Sequence, residues 1–220
     1  MALINCPECG KEISDNANKC VNCGCPIIKY ENIYAEKSKK KKNPIVVLVI
    51  LVIAALLIWV GVNQYKSYTY QQNLNAICYE IISSGIEAEE CGNLIHDVWY
   101  NTIFKETSED TDKYTKENNE FNEDFNDSLD NLYNDKDFTE KVANIQIKQK
   151  SILNMMKEMK NPPSKHKDAY KALLALYDEY NDFSNLVINP TGSLQSFTEE
   201  FNEADKSLAD HCDKIKMYID

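Results

Sequence analysis

Arginine is absent from the 220-residue sequence, and glycine and proline are scarce, with six residues each. So few glycines and prolines exclude a collagen-like chain and argue against an extensively disordered one. The acidic surplus belongs to one part of the chain, because residues 1–62 carry a net charge of +3 and residues 63–220 carry −14. Nucleic acids and anionic bilayers bind clustered positive charge, so extended contact with either is not expected for residues 63–220.

The sequence also lacks the common catalytic motifs, with no glycine-rich phosphate loop, no GxSxG turn and no HExxH pair. Its three histidines are His96, His166 and His211. A di-iron helical bundle needs a glutamate three residues before histidine on two helices, but Asn93, Pro163 and Leu208 hold those positions. No catalytic residue is therefore predicted, and the protein is not expected to be an enzyme.

Five of the eight cysteines lie within residues 6–25, and four of these five form two CxxC pairs, each followed directly by a glycine. Two CxxC pairs are typical of a four-thiolate zinc site. The predicted metal ligands are Cys6, Cys9, Cys20 and Cys23. Four sulfurs satisfy the tetrahedral preference of Zn²⁺ and leave no position for water, so the predicted site is structural. A redox pair or a disulfide framework is the alternative, and the two matched pairs argue against it.

Residues 6–24 resemble the short zinc ribbon found at the N-terminus of many bacterial membrane proteins, in which a CPxCG turn and a CxxCG turn flank a loop. The resemblance implies a zinc ribbon over residues 1–28 with one structural Zn²⁺. Cys25 lies outside the pattern and is predicted to be a free thiol. Zinc thiolates require a reducing compartment, so the ribbon is expected on the cytoplasmic side.

Residues 44–62 form a nineteen-residue segment without a charge or a polar stripe. At ~1.5 Å of rise per residue, a helix of this length just crosses a hydrocarbon core of roughly 30 Å. Lys37 and Lys39 to Lys42 crowd the N-terminal flank, whereas Lys66 is nearly alone on the other side. The positive-inside bias predicts a single-pass protein of the cell membrane with a cytoplasmic N-terminus. In this prediction, residues 29–43 form a basic juxtamembrane linker, and residues 63–220 form an extracytoplasmic domain. Nucleic acid is not an expected partner of the lysine run, which has no arginine or aromatic residue interleaved.

Apolar residues recur at helical spacing after residue 63, and no strand-like alternation is apparent. The stripes lie at residues 74–82, 91–103, 121–132, 138–159, 170–187 and 194–218. Breaks are predicted at Ser83–Gly85, at Asn161–Pro163 and at Asn189–Gly192, and Ser193 is predicted to cap the last helix. The predicted fold is mostly α, with a small N-terminal four-cysteine zinc ribbon, one transmembrane helix and a C-terminal antiparallel bundle of five to six helices.

Three further cysteines lie in the predicted helical domain. In a hairpin that turns at Gly85, Cys78 and Cys91 would lie at nearly the same height, so a disulfide between them and two buried free thiols both stay open. Cys212 has no evident partner.

The leading functional hypothesis is a non-enzymatic membrane protein that couples or scaffolds protein partners across the envelope. One alternative is an envelope sensor whose outer bundle binds a small ligand or cell-wall component. An apolar cavity lined by Tyr170, Tyr177, Tyr180 or Trp99 would favour it. Another is an exported hydrolase with an unrecognised carboxylate pair among Glu87, Glu89 and Glu90, although solvated helix faces explain these carboxylates more simply.

Overall fold

The computed structural model describes residues 2–27 and 43–219. The chain divides into two compact units, Met1–Val52 and Ile53–Asp220. The lysine run from Lys37 to Lys42, on which the predicted orientation depends, and nearly all of the predicted linker lie outside the described residues.

The N-terminal residues form a small antiparallel hairpin of strands β1 (Leu3–Asn5) and β2 (Glu12–Ser14). Ile4 pairs with Ile13 at its centre. The buried side chains of this part are Cys6, Ile13 and Cys20, with Cys25 and Ile27 packed partly against them. A core this small cannot stabilise a fold by burial alone, so this segment depends on another source of folding free energy.

A single helix, α1, runs without interruption from Pro44 to Phe104. The side-chain oxygen of Asn43 accepts a hydrogen bond from the Ile45 N–H at 3.2 Å, as expected of an N-cap. The predicted break at residues 83–85 is wrong. Ser84 is fully buried there, and its hydroxyl accepts a hydrogen bond from the Tyr180 hydroxyl at 2.8 Å. Tertiary contacts that only small residues permit outweigh the weak helix propensity of this segment.

The continuity of α1 also decides between the two states left open for Cys78 and Cys91, because it rules out a disulfide between them. Cys78 and Cys91 are thirteen residues apart on one helix, which separates them by about 20 Å along its axis. Both thiols are free and buried, and Cys212 is free as well.

The rest of the described chain contains five shorter α-helices and one two-stranded hairpin. They are α2 (Asp112–Thr115), β3 (Lys116–Glu117), β4 (Glu120–Phe121), α3 (Phe125–Asn134), α4 (Lys136–Glu158), α5 (Lys167–Ile188) and α6 (Leu194–Ile215). The mostly helical fold is thus confirmed, and the predicted breaks at Asn161–Pro163 and Asn189–Gly192 separate α4, α5 and α6. The β3–β4 hairpin was not predicted, and it takes Phe121 out of the helix to which the sequence assigned it.

The last helix begins as the sequence predicts. The Ser193 hydroxyl accepts a hydrogen bond from the Ser196 N–H, and the Ser196 hydroxyl accepts one from the Ser193 N–H. This reciprocal pair satisfies two backbone donors that the start of a helix leaves unpaired.

One hydrophobic core joins the part of α1 after Ser67 to helices α3 to α6. Its aromatic centre stacks Trp99 on Phe125, with ring centroids 5.3 Å apart, and Phe183 on Phe201 at 5.1 Å. Residues 44–66 of α1 do not share this core, because every one of them is exposed. This first part of α1 is long and apolar enough to cross a membrane, by length and composition.

Candidate metal centre

The two CxxC pairs fold into two turns of the same geometry. In the first, the Gly10 N–H donates to the Cys6 carbonyl at 2.9 Å, and in the second the Gly24 N–H donates to the Cys20 carbonyl at 2.8 Å. Gly10 and Gly24 have φ angles of 69° and 78°, in the left-handed region that glycine adopts without a steric penalty. The glycine after each pair therefore allows the chain to close each turn.

The turns bring the four predicted ligands, and no fifth sulfur, into one group. All four Sγ atoms lie within 4.8 Å of one another. The distances across the two turns are 3.6 Å for Cys6–Cys23 and 3.7 Å for Cys9–Cys20. A zinc ion with Zn–S bonds of about 2.3 Å in a tetrahedron requires sulfurs about 3.8 Å apart. The sulfur group therefore fits one tetrahedral metal ion.

The electrostatics of the turns favour thiolate at some sulfurs and oppose it at others. The backbone N–H groups of Cys23 and Asn22 point at the Cys20 sulfur and lower the pKa of its thiol to about 6. The N–H of Cys25 lowers the pKa of Cys23, but the surrounding sulfurs and burial outweigh it and raise that pKa to about 12. Four thiolates this close repel one another, and a divalent cation offsets half of their charge.

Residues 5–27 match the family model of the zinc-ribbon domain. The N-terminal part is a zinc ribbon. No curated protein and no solved structure matches the chain. The zinc ribbon has four sulfur donors and therefore leaves no position for a reacting water, so its chemistry is that of a structural site.

Cys25 stays outside the sulfur group of the zinc ribbon, as predicted. Its carbonyl accepts the Cys20 N–H at 2.8 Å, in the same way that the Lys11 carbonyl accepts the Cys6 N–H at 2.9 Å. Its thiol is half-buried and donates to the Pro26 carbonyl at 3.6 Å, and burial raises its pKa. Cys25 thus helps the second turn through its backbone rather than through its sulfur.

The structure does not bring the three histidines together. His96 contacts Asp97, His211 contacts the Ser207 carbonyl, and His166 is buried against Ser67. Across residues 2–27 and 43–219, the four cysteines are the only cluster of His, Cys, Asp or Glu arranged to hold a metal.

The acidic cluster near the middle of α1 is paired with α4. Glu87 forms an ion pair with Lys148 and Glu90 forms one with Lys141, both at 3.2 Å. These contacts give the two glutamates a role in joining two helices, and they do not converge on a common point.

The buried contact between Ser67 and His166 was not predicted from the sequence. The Ser67 hydroxyl and the His166 Nε2 atom are 2.8 Å apart, and the His166 ring stacks on Tyr70 with centroids 5.0 Å apart. Ninety-nine residues separate Ser67 from His166, so no local pattern in the sequence connects them. The contact holds the turn between α4 and α5 against α1.

Proposed function

We propose that the protein is a non-enzymatic membrane-anchored interaction protein, with a cytoplasmic zinc ribbon and an extracytoplasmic helical domain that contact different protein partners. The observation that carries this proposal is an apolar segment, residues 44–62, in which every residue is exposed and which separates a metal-binding ribbon from a domain with its own core. In this proposal the zinc ribbon holds one structural Zn²⁺ on Cys6, Cys9, Cys20 and Cys23.

Insertion into a lipid bilayer is supported by the exposure of the apolar segment. Leu57, Ile58 and Trp59 are 68%, 67% and 64% exposed, and their neighbours are similarly open. Soluble proteins rarely expose an apolar surface of this extent, whereas lipid covers it without penalty. Trp59 and Tyr65 lie at the end of the segment nearest the helical domain, where amphipathic rings favour the headgroup layer.

The orientation follows from charge and redox chemistry. Five lysines lie within residues 37–42, before the apolar segment, and Lys66 follows it. The positive-inside bias keeps the lysine-rich side in the cytoplasm, and thiolate ligands also persist in that reducing compartment. The domain over residues 63–220, proposed to be an antiparallel bundle, then lies outside.

A sensor that binds a ligand inside the helical domain is less well supported. Trp99 is buried against Phe125 and Phe197, and Tyr180 is buried with its hydroxyl on Ser84. These aromatic rings pack against other side chains, which favours a surface-binding domain over a ligand-binding one.

A complementation experiment in cells lacking the chain tests the coupling role. The full chain should restore the wild-type phenotype. Two separate polypeptides, residues 1–66 and residues 29–220, both keep the lysines that orient the span and should not restore it when they are produced together. The full chain carrying Cys25→Ser is the matched control and should behave like the wild type. Rescue by the two separate halves would contradict coupling, because each half would then act alone.

A further inference from the structure

A groove lies where the apolar segment of α1 meets the turn between α4 and α5. Its volume is about 690 Å³. Its lining includes the apolar residues Trp59 and Val60 of α1, Pro162 of the turn, and one lysine from each chain segment, Lys66 and Lys165. The groove therefore combines an apolar surface that continues into the exposed span with two positive charges above it.

Both walls of the groove are held in place by buried contacts. His166, next to Lys165, bonds to Ser67, which is next to Lys66. One helical turn along α1 from Lys66, the Tyr70 hydroxyl donates to the Met159 carbonyl at 3.3 Å. The spacing of the two lysines is thus set by the folded structure of the domain and not by a flexible loop.

The end of the domain that carries the groove is basic, although the domain as a whole is acidic. This end includes residues 210–220, because the Gln71 side chain donates a hydrogen bond to the Tyr218 carbonyl at 2.7 Å. Residues 63–71, 157–168 and 210–220 contain seven lysines and five acidic residues, whereas residues 97–137 contain four lysines and thirteen acidic residues. The acidic end includes Asn101 of α1, whose side-chain N–H donates a hydrogen bond to the Thr111 hydroxyl at 2.8 Å. Asn101 lies about 50 Å along α1 from Ser67, at ~1.5 Å per residue. Charge is therefore separated along the helix axis.

The lysines of the groove are not used within the fold. In the described part of the chain, neither Lys66 nor Lys165 takes part in a salt bridge, whereas Lys141 and Lys148 are both paired. Glu158 lines a smaller groove next to Lys66 without pairing with it. Two unpaired cations beside an apolar wall are complementary to an anion that carries a hydrocarbon tail.

We propose that this groove binds the phosphodiester headgroup of an anionic phospholipid from the leaflet around α1, with the phosphate at Lys66 and Lys165 and an acyl chain along Trp59 and Val60. This inference rests on the proposed insertion of residues 44–62 into a bilayer. A lipid is favoured over a free phosphate because the apolar side of the groove is continuous with the span. The acidic end of the domain is repelled by the same surface, which orients the domain upright.

Hydrogen exchange of the full chain in nanodiscs tests the proposal. Amides of residues 161–167 should exchange about tenfold more slowly in discs of equal phosphatidylglycerol and phosphatidylcholine than in discs of phosphatidylcholine alone, because each lysine near an anionic surface contributes to attraction. The difference should disappear in the K66Q/K165Q double variant and in about 0.5 M salt, which screens charges beyond about 4 Å. The matched control K150Q/K206Q removes two exposed lysines far from the groove and should keep the difference.

Three results would overturn the proposal. If the amides of residues 161–167 exchanged at equal rates in both kinds of disc, with the chain inserted, the groove would not be a lipid site, although the membrane anchor would still stand. Equal protection by soluble glycerophosphate in phosphatidylcholine discs would show that the groove takes any phosphate. Failure of the chain to float with vesicles after carbonate washing would overturn both the anchor and the groove.

Discussion

At the scale of single residues, the metal-binding group is the feature that local spacing predicts best. Each CxxC turn closes within five residues, so the positions of two sulfurs and one glycine follow from the chain itself. The 3.6 Å and 3.7 Å distances, in contrast, join sulfurs of different turns and depend on how the two turns pack against each other. Spacing predicts the ligands, whereas tertiary structure sets the tetrahedron.

Replacement of Cys9 by serine tests this group directly. Cys9→Ser removes one of four thiolates, and we expect zinc to fall from about one ion per chain to well below half, because structural sites need their full ligand set. Elemental analysis of the purified full chain measures the change. Cys25→Ser is the control and should keep its zinc, since its sulfur lies outside the group. Equal loss in both variants would mean that Cys25 is a ligand.

At the scale of elements, the sequence predicts where helices end better than it predicts whether a helix continues. The proline-containing turns after α4 and α5 and the Ser193 cap depend on neighbouring residues, and all are present. The predicted break at Gly85 is wrong because residues distant in sequence, Tyr180 and Leu208, pack against this point of α1 and stabilise the helix there. Serine and glycine there serve close packing, which local propensity does not reveal.

The Ser193 cap predicts a measurable loss of stability. Ser193→Ala removes the side-chain acceptor at the start of α6 and should lower the free energy of unfolding by about 1 kcal/mol. Ser193→Asp keeps an acceptor near the positive end of the helix and should retain most of that stability. Urea unfolding of the full chain in detergent compares the three proteins. If the alanine and aspartate variants were equally destabilised, the cap would not be the cause.

Replacement of Gly92 by alanine should lower the free energy of unfolding more than loss of the Ser193 cap does, because Gly92 lies at the contact between α1 and α6. A Cβ atom at this position would overlap the ring of Phe201, which is buried. Gly92→Ala should therefore lose about 1–2 kcal/mol of unfolding free energy, despite the better helix propensity of alanine. Gly85→Ala is the control, because its Cβ meets the flexible end of Leu208 at 3.1 Å, and its change should stay below that of Gly92→Ala. Increased stability of Gly92→Ala would contradict the close approach.

At the scale of the whole molecule, composition predicts the total charge but not where it lies. The sum of −14 over residues 63–220 suggests a uniformly acidic domain. The fold instead gathers the lysine-rich segment 157–168 beside the start of the domain, through contacts such as Ser67–His166 that no sequence window contains. We still expect the acidic end of this domain to avoid anionic lipid. At its basic end, in contrast, we propose that the groove binds an anionic phospholipid.

The proposed orientation predicts the outcome of proteolysis. Protease added outside spheroplasts should remove the domain over residues 63–220 and leave a protected fragment containing the zinc ribbon. Detection with tags at each end measures this, and detergent should expose both ends. Loss of the N-terminal tag with survival of the C-terminal one would reverse the orientation and contradict the proposed function.

The uninterrupted course of α1 has a mechanical consequence. From Lys66 to Phe104 the helix extends about 57 Å beyond the apolar segment, at ~1.5 Å per residue. Spanning helices tilt when the bilayer thins, and a tilt of about 10° would carry the far end of α1 sideways by about 10 Å. Under the proposed insertion of residues 44–62, a change in membrane thickness would thus become a lateral displacement of the acidic end of the domain, because α1 continues from the span to that end without a break.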